Sequence, residues 1–129
     1  WIPPEGMEDE KPEDNGALYD KLLEMVTRAT KDRELASVTF VWMQGEADAG
    51  KGWGRVYERS FYGVLDQFKE NLGHETIHFV IGRINDYWLT SRGVVDGDLV
   101  RATQVKMGEE SPHGDWVDTD DLNDVMNRM

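Results

Sequence analysis

The chain has no cysteine. That excludes disulfides, cysteine-ligated zinc, iron–sulfur clusters and thiol nucleophiles, and leaves the compartment open, since a domain of this size needs no covalent staple. Basic residues are scarce, with 14 Lys and Arg against 26 Asp and Glu, a formal net charge of −12. So acidic a surface repels phosphate backbones and anionic leaflets, which argues against nucleic-acid and membrane partners. No apolar run approaches the roughly 20 residues a membrane helix requires. At 129 residues the chain is one domain's worth. It opens on Trp1 with no signal-peptide pattern, the expectation for a processed or excerpted chain.

Residues 1–14 hold three prolines and six acids against one lysine, which predicts a loop or arm. Asp14 or Asn15 then offers a helix N-cap. Leu18, Leu22, Met25, Val26 and Ala29 follow at helical spacing, predicting an amphipathic helix over about 16–32. Ser37 to Met43 is β-branched and aromatic, the pattern of a strand covered on both faces. The four glycines of 44–54 read as a loop, and Tyr57, Phe61, Val64, Leu65, Phe68 and Leu72 mark a helix over about 55–71, stopped by Gly73. A second covered strand is expected at 77–84, a weaker helix at 97–108 and a third strand at 115–119. Helices alternating with strands imply an α/β fold with a parallel sheet and helices on both faces. Polar chemistry then collects beyond the carboxyl ends of the strands, grouping Gln44–Asp48, Asn85–Trp88 and Thr119–Asp121 on one rim.

The strongest local signal is Val41-Trp-Met-Gln-Gly-Glu-Ala-Asp-Ala49, where a buried strand ends in an amide, a glycine and a carboxylate. Gly45 permits a sharp turn and a close approach. Gln44 has the side-chain amide that stabilises oxyanions in acyl transfer. Glu46 has the charge that orients a catalytic histidine, and Asp48 can fix the loop by accepting backbone N–H groups. A merely polar turn, with Glu46 and Asp48 solvated, would read the same on these residues alone.

WMQGEADA resembles the W-H-Q-G-E-S-D-A signature of the SGNH hydrolases grouped as sialate O-acetylesterases and acetylxylan esterases. GALYDKLLEMV resembles the helix before that strand in the family, and VRATQ (Val100 to Gln104) its R-x-x-Q segment. The resemblance spans about residues 16–122. It implies a three-layer α/β/α, flavodoxin-like SGNH fold, here incomplete because 15–129 would match only its central part. It also implies serine-catalysed removal of O-acetyl groups from sugars, without a metal or organic cofactor, in a secreted or periplasmic protein. Carried over, Gln44 is the oxyanion amide, with Gly45 beside it, Glu46 the acid facing the histidine, and Asp48 a loop-fixing residue. Met43 departs from the family's His or Tyr. Arg101 and Gln104 match a segment more structural than catalytic.

Two pieces of the family pattern are missing. None of Ser37, Ser60, Ser91 and Ser111 sits in a Gly-Gln-Ser-Asn-type loop, and no Asp-x-x-His precedes His74, His78 or His113. Glu110-Ser-Pro-His113 is the nearest imitation. The serine and histidine are therefore expected outside this chain, which alone should be inactive.

Candidate sugar contacts are Asn85 and Asp86 on the rim, Tyr87 or Trp88 as a stacking platform, and Trp53 lining the cleft; otherwise Asn85 and Asp86 are strand-end polar residues and Trp53 packs on the following helix. Residues 109–124 carry seven acids and no Lys or Arg, yet Asp118 to Asn123 lacks the glycine and ligand pattern of a calcium loop, so a solvated or partner-screened face is expected. His74 and His78 straddle a helix–strand boundary and form no metal pair. The competing function is a non-catalytic α/β module binding carbohydrate or a protein partner through its aromatic, acidic rim.

Overall fold

The computed structural model describes residues 16–86 and 94–122. The expectations for the acidic arm 1–14, the caps Asp14 and Asn15, Tyr87, Trp88 and Ser91 lie outside them. The elements in order are α1 (Ala17–Ala29), β1 (Thr39–Trp42), α2 (Glu46–Lys51), α3 (Gly54–Leu72), β2 (His78–Gly82), α4 (Gly97–Glu110), β3 (Gly114–Val117) and a 3-10 turn at Asp120–Leu122. The fold is α/β. No helix among the described residues is long and apolar enough to cross a membrane.

The chain divides into two compact units, Trp1–Val38 with Arg59–Ile77, and Thr39–Glu58 with His78–Met129. In the first, α1 starts at Gly16, whose φ of 93° suits glycine, with no side-chain cap. Leu18, Leu22 and Met25 are exposed, Leu18 by 84%, as is Ala29, so of the anticipated stripe Val26 alone is partly covered. The more covered positions are Tyr19, Leu23, Val26 and Thr30, one residue round the helix. Tyr19 explains the rotation: its ring lies 4.7 Å from that of Phe68, and its hydroxyl accepts a 3.0 Å bond from Asn71 Nδ2. Burial raises the Tyr19 hydroxyl pKa. Phe61, Val64, Leu65 and Phe68 on α3 are buried as their spacing requires. Gly73, at φ 64°, ends the helix: its N–H bonds Glu70 and the His74 N–H bonds Lys69, a Schellman pair of carbonyl caps.

The second unit holds a sheet of order β1-β2-β3, parallel throughout. Trp42 is in register with Ile81, and Gly82 with Val117. Phe79 and Ile81 are buried. β1 departs from expectation, because among the described residues it is an edge strand whose exposed and half-covered residues alternate; Val41 and Met43 are each 69% exposed. α4 packs on β2, β3 and α2. It comes close to β3 at Gly108, where a Cβ would stand 2.8 Å from the Trp116 ring and 2.9 Å from the Asp115 carbonyl carbon. The glycine-rich segment also departs from expectation, forming the short helix α2. Its end is capped by Gly52, whose φ is 76°.

Candidate functional site

Because the strands are parallel and in register, their carboxyl ends open onto one edge. Gln44 lies two residues beyond β1, Asn85 three beyond β2 and Thr119 two beyond β3. At such an edge the backbone leaves the ladder and its polar groups need other partners.

The turn after β1 is built on Gly45, at φ 151° and buried. A Cβ there would meet Val100 Cγ1 at 2.9 Å, Gln104 Nε2 at 3.0 Å and Ile84 Cγ2 at 3.1 Å. The Gln44 carbonyl accepts two bonds, from the Tyr57 hydroxyl at 2.6 Å and from Gln104 Nε2 at 2.9 Å. Tyr57 in turn accepts from Trp42 Nε1 at 2.8 Å and from Gln104 Nε2 at 2.9 Å, while Gln104 Oε1 accepts the Ile84 N–H at 2.9 Å. One phenol proton, two amide protons and one amide oxygen are thereby all engaged. Burial pushes the Tyr57 hydroxyl up to about 12, so it keeps the proton it donates.

The Gln44 side chain points to Asp48, with Nε2 donating to Oδ2 at 2.5 Å. Asp48 is buried, which raises its pKa; the bond from Gln44 and one from its own backbone work the other way. Gln44 Nε2 carries a second hydrogen beyond the one Asp48 holds. Glu46 is exposed at the first position of α2, with no hydrogen bond or ion pair among the described residues. Trp53 is half-buried between α2 and α3, with Lys51 Nζ 4.2 Å from its ring centroid.

The segments after β2 and β3 are joined through charge. Thr119 Oγ1 donates to the Arg83 carbonyl at 2.6 Å. Arg101 forms a two-pronged pair with Asp120, both contacts at 2.8 Å, and also donates to the Ile84 carbonyl. Arg83 reaches Asp118 at 2.6 Å and Asp120 at 2.8 Å and lies over the Trp116 ring; its buried Nε has no hydrogen-bond partner among the described residues. The Asp86 N–H completes the shell, donating to Asp120 Oδ1 at 2.9 Å. Hydrogen bonding from Arg101, against an opposing burial effect, lowers the Asp120 pKa, and the same bond raises that of Arg101.

Gln44, Gly45, Glu46, Asp48, Asn85, Asp86 and Thr119 thus share one edge, Asn85 and Asp86 being half-buried there. His113 does not. It immediately precedes β3, its carbonyl accepts the Phe79 N–H, and its ring meets that of His78 edge-on at 5.3 Å, all at the amino edge of the sheet. Asp118 and Asp120 are not simply solvated, because their counter-charges come from Arg83 and Arg101. Tyr57, read from sequence as one of a core stripe, is also a polar bracket. Among the described residues no group of three or more His, Asp or Glu is placed to hold a metal ion.

A parallel α/β sheet with amide and carboxylate groups gathered at its carboxyl edge defines the general class. Residues 6–128 match the model of a family described as carbohydrate esterase, sialic acid-specific acetylesterase, and the chain belongs to that family. The family is one of carbohydrate acetylesterases, whose substrates are acetylated carbohydrates. Comparison with curated proteins and with solved structures returned no match.

Proposed function

We propose that this chain supplies the oxyanion and acid side of the active site of a serine carbohydrate O-acetylesterase. The observation that carries the reading is the Gln44 side-chain amide at the carboxyl edge, held by buried Asp48 with one N–H left to donate. A serine and a histidine from outside these 129 residues complete the triad. The serine oxygen attacks the acetyl carbonyl carbon as the histidine takes its proton. The carbonyl oxygen becomes an anion and receives the second Gln44 N–H. The histidine returns the proton to the sugar oxygen as the C–O bond breaks, and water releases acetate from the acyl-enzyme by the same steps. Glu46, exposed at the start of α2, stabilises the charged histidine. Asn85, Asp86, Trp53 and Trp88 contact the sugar. No metal or organic cofactor enters the scheme, and sialic acid and xylan esters are the two substrate types to compare.

The test is acetate release from O-acetylated sialic acid and from acetylated xylo-oligosaccharide. Release from either by the catalytically complete protein, with none by the 129-residue chain alone, is the expected result. Saturable sugar binding with no acetate released from any acetyl ester would replace the reading with that of a non-catalytic binding module. Labelling of a serine in the isolated chain by a fluorophosphonate would show a nucleophile within it.

A further inference from the structure

Arg101 and Gln104 stand three residues apart on α4 and therefore share one helical face. Between them they grip all three strand ends. Gln104 donates to the Gln44 carbonyl beyond β1 and accepts from the Ile84 N–H beyond β2. Arg101 takes the Ile84 carbonyl and, with both guanidinium prongs, the Asp120 carboxylate beyond β3. Ile84 thus has both of its backbone polar groups held by α4 side chains. Gln104 is fully buried with its hydrogen-bonding capacity satisfied internally, which removes it from substrate contact.

We infer that Arg101 and Gln104 are positioning residues for ester hydrolysis: they set the spacing of the Gln44 turn from the Asn85 and Asp120 segments. The inference rests on Gln44 being the oxyanion donor. Catalytic groups must be held to fractions of an ångström, and a displacement of about 1 Å costs on the order of 100-fold in rate. A purely structural brace would lower stability and leave kcat per folded molecule unchanged. A positioning brace lowers kcat in molecules that are fully folded and leaves KM nearly alone.

Gln104→Glu keeps an acceptor for Ile84 and replaces the two amide donors to Gln44 and Tyr57 by at most one carboxyl proton. Gln104→Met keeps the length and removes the acceptor and the donors alike. Arg101→Lys keeps the charge, but a single ammonium cannot span the Ile84 carbonyl and both Asp120 oxygens. All three are assayed in the catalytically complete protein below their melting temperatures, beside Gln44→Ala. The expected result is a kcat about 10- to 100-fold down in each, with KM within about threefold. Wild-type kcat in Gln44→Ala would overturn the donor assignment itself. A loss in Gln44→Ala with wild-type kcat in folded Gln104→Glu and Arg101→Lys would overturn the positioning role alone. Should Gln104→Met not fold, the 15N–1H spectrum of Gln104→Glu decides: a displaced or broadened Gln44 side-chain amide is expected, and an unmoved one contradicts the inference.

Discussion

The two edges of the sheet are made from the same three strands and are treated quite differently. At the amino edge, His78 is exposed at the start of β2, and exposed His113 rests edge-on against it just before β3. At the carboxyl edge, the backbone groups of Gln44, Arg83, Ile84 and Asp86 are each met by a side chain from another part of the unit. Water can satisfy polar groups at an edge that has no precise task. Replacing it with Tyr57, Gln104, Thr119, Arg101 and Asp120 fixes the positions of the strand ends, which a preorganised site requires. Among the described residues, side chains distant in sequence bracket the backbone where the chemistry is proposed, whereas at the amino edge the His113 N–H is met locally, by Ser111 Oγ at 3.2 Å.

The contrast can be broken most severely at Gly45. Gly45→Ala puts a methyl 2.9–3.1 Å from three side-chain atoms at a φ of 151°, and a loss of about 3 kcal/mol is expected by denaturant unfolding. Asp120→Asn leaves Arg83 and Arg101 without their shared carboxylate. Since that carboxylate is 30% exposed, solvent softens the loss to about 1–2 kcal/mol. Its pH dependence follows in sign. The folded pKa lies below the ordinary value, so the stabilisation is complete above the unfolded carboxylate pKa and disappears as pH falls through the lower folded one. Asp48 runs the opposite way, because its raised pKa is a cost present at neutral pH and relieved as acid protonates it. Acid unfolding curves should therefore lose their Asp120 component in Asp120→Asn, and an NMR titration of Arg101→Met should show Asp120 returning upward. The smallest effects belong to the amino edge, where His78→Ala and His113→Ala should each change stability by no more than about 0.5 kcal/mol.

Much of this contrast is legible in sequence. Alternation of helices and strands forces a parallel sheet, and a parallel sheet puts Gln44, Asn85 and Thr119 at one edge whatever the side chains do. The spacing on α3 likewise identifies Phe61, Val64, Leu65 and Phe68 as buried. The brackets are less visible. Tyr57 has the periodicity of a core aromatic, and nothing local shows that its hydroxyl meets a carbonyl 13 residues earlier. Gln104 reaches Gln44 across 60 residues, a contact that depends on how α4 lies on the sheet. The R-x-x-Q spacing does place Arg101 and Gln104 on one helical face, and an acidic run lacking its own cations does ask where its counter-charges are. Together those signals point towards the clasp without naming its partners. The stripe on α1 is misread because helical period gives a face only to within one residue, and Tyr19, through Phe68 and Asn71, selects the neighbouring one.

The central claim is that acetyl-ester chemistry belongs to the carboxyl edge, with Gln44 as a donor to the developing oxyanion. Steady-state hydrolysis of an acetyl ester by the catalytically complete protein tests it most directly, with Gln44→Ala and His113→Ala compared side by side. An oxyanion donor bonds best as charge develops, so its removal acts on turnover more than on substrate binding. Gln44→Ala should lose about 100- to 1,000-fold in kcat with little change in KM, and His113→Ala should match wild type. Wild-type kcat in a well-folded Gln44→Ala protein, or a comparable loss in His113→Ala, would contradict the account.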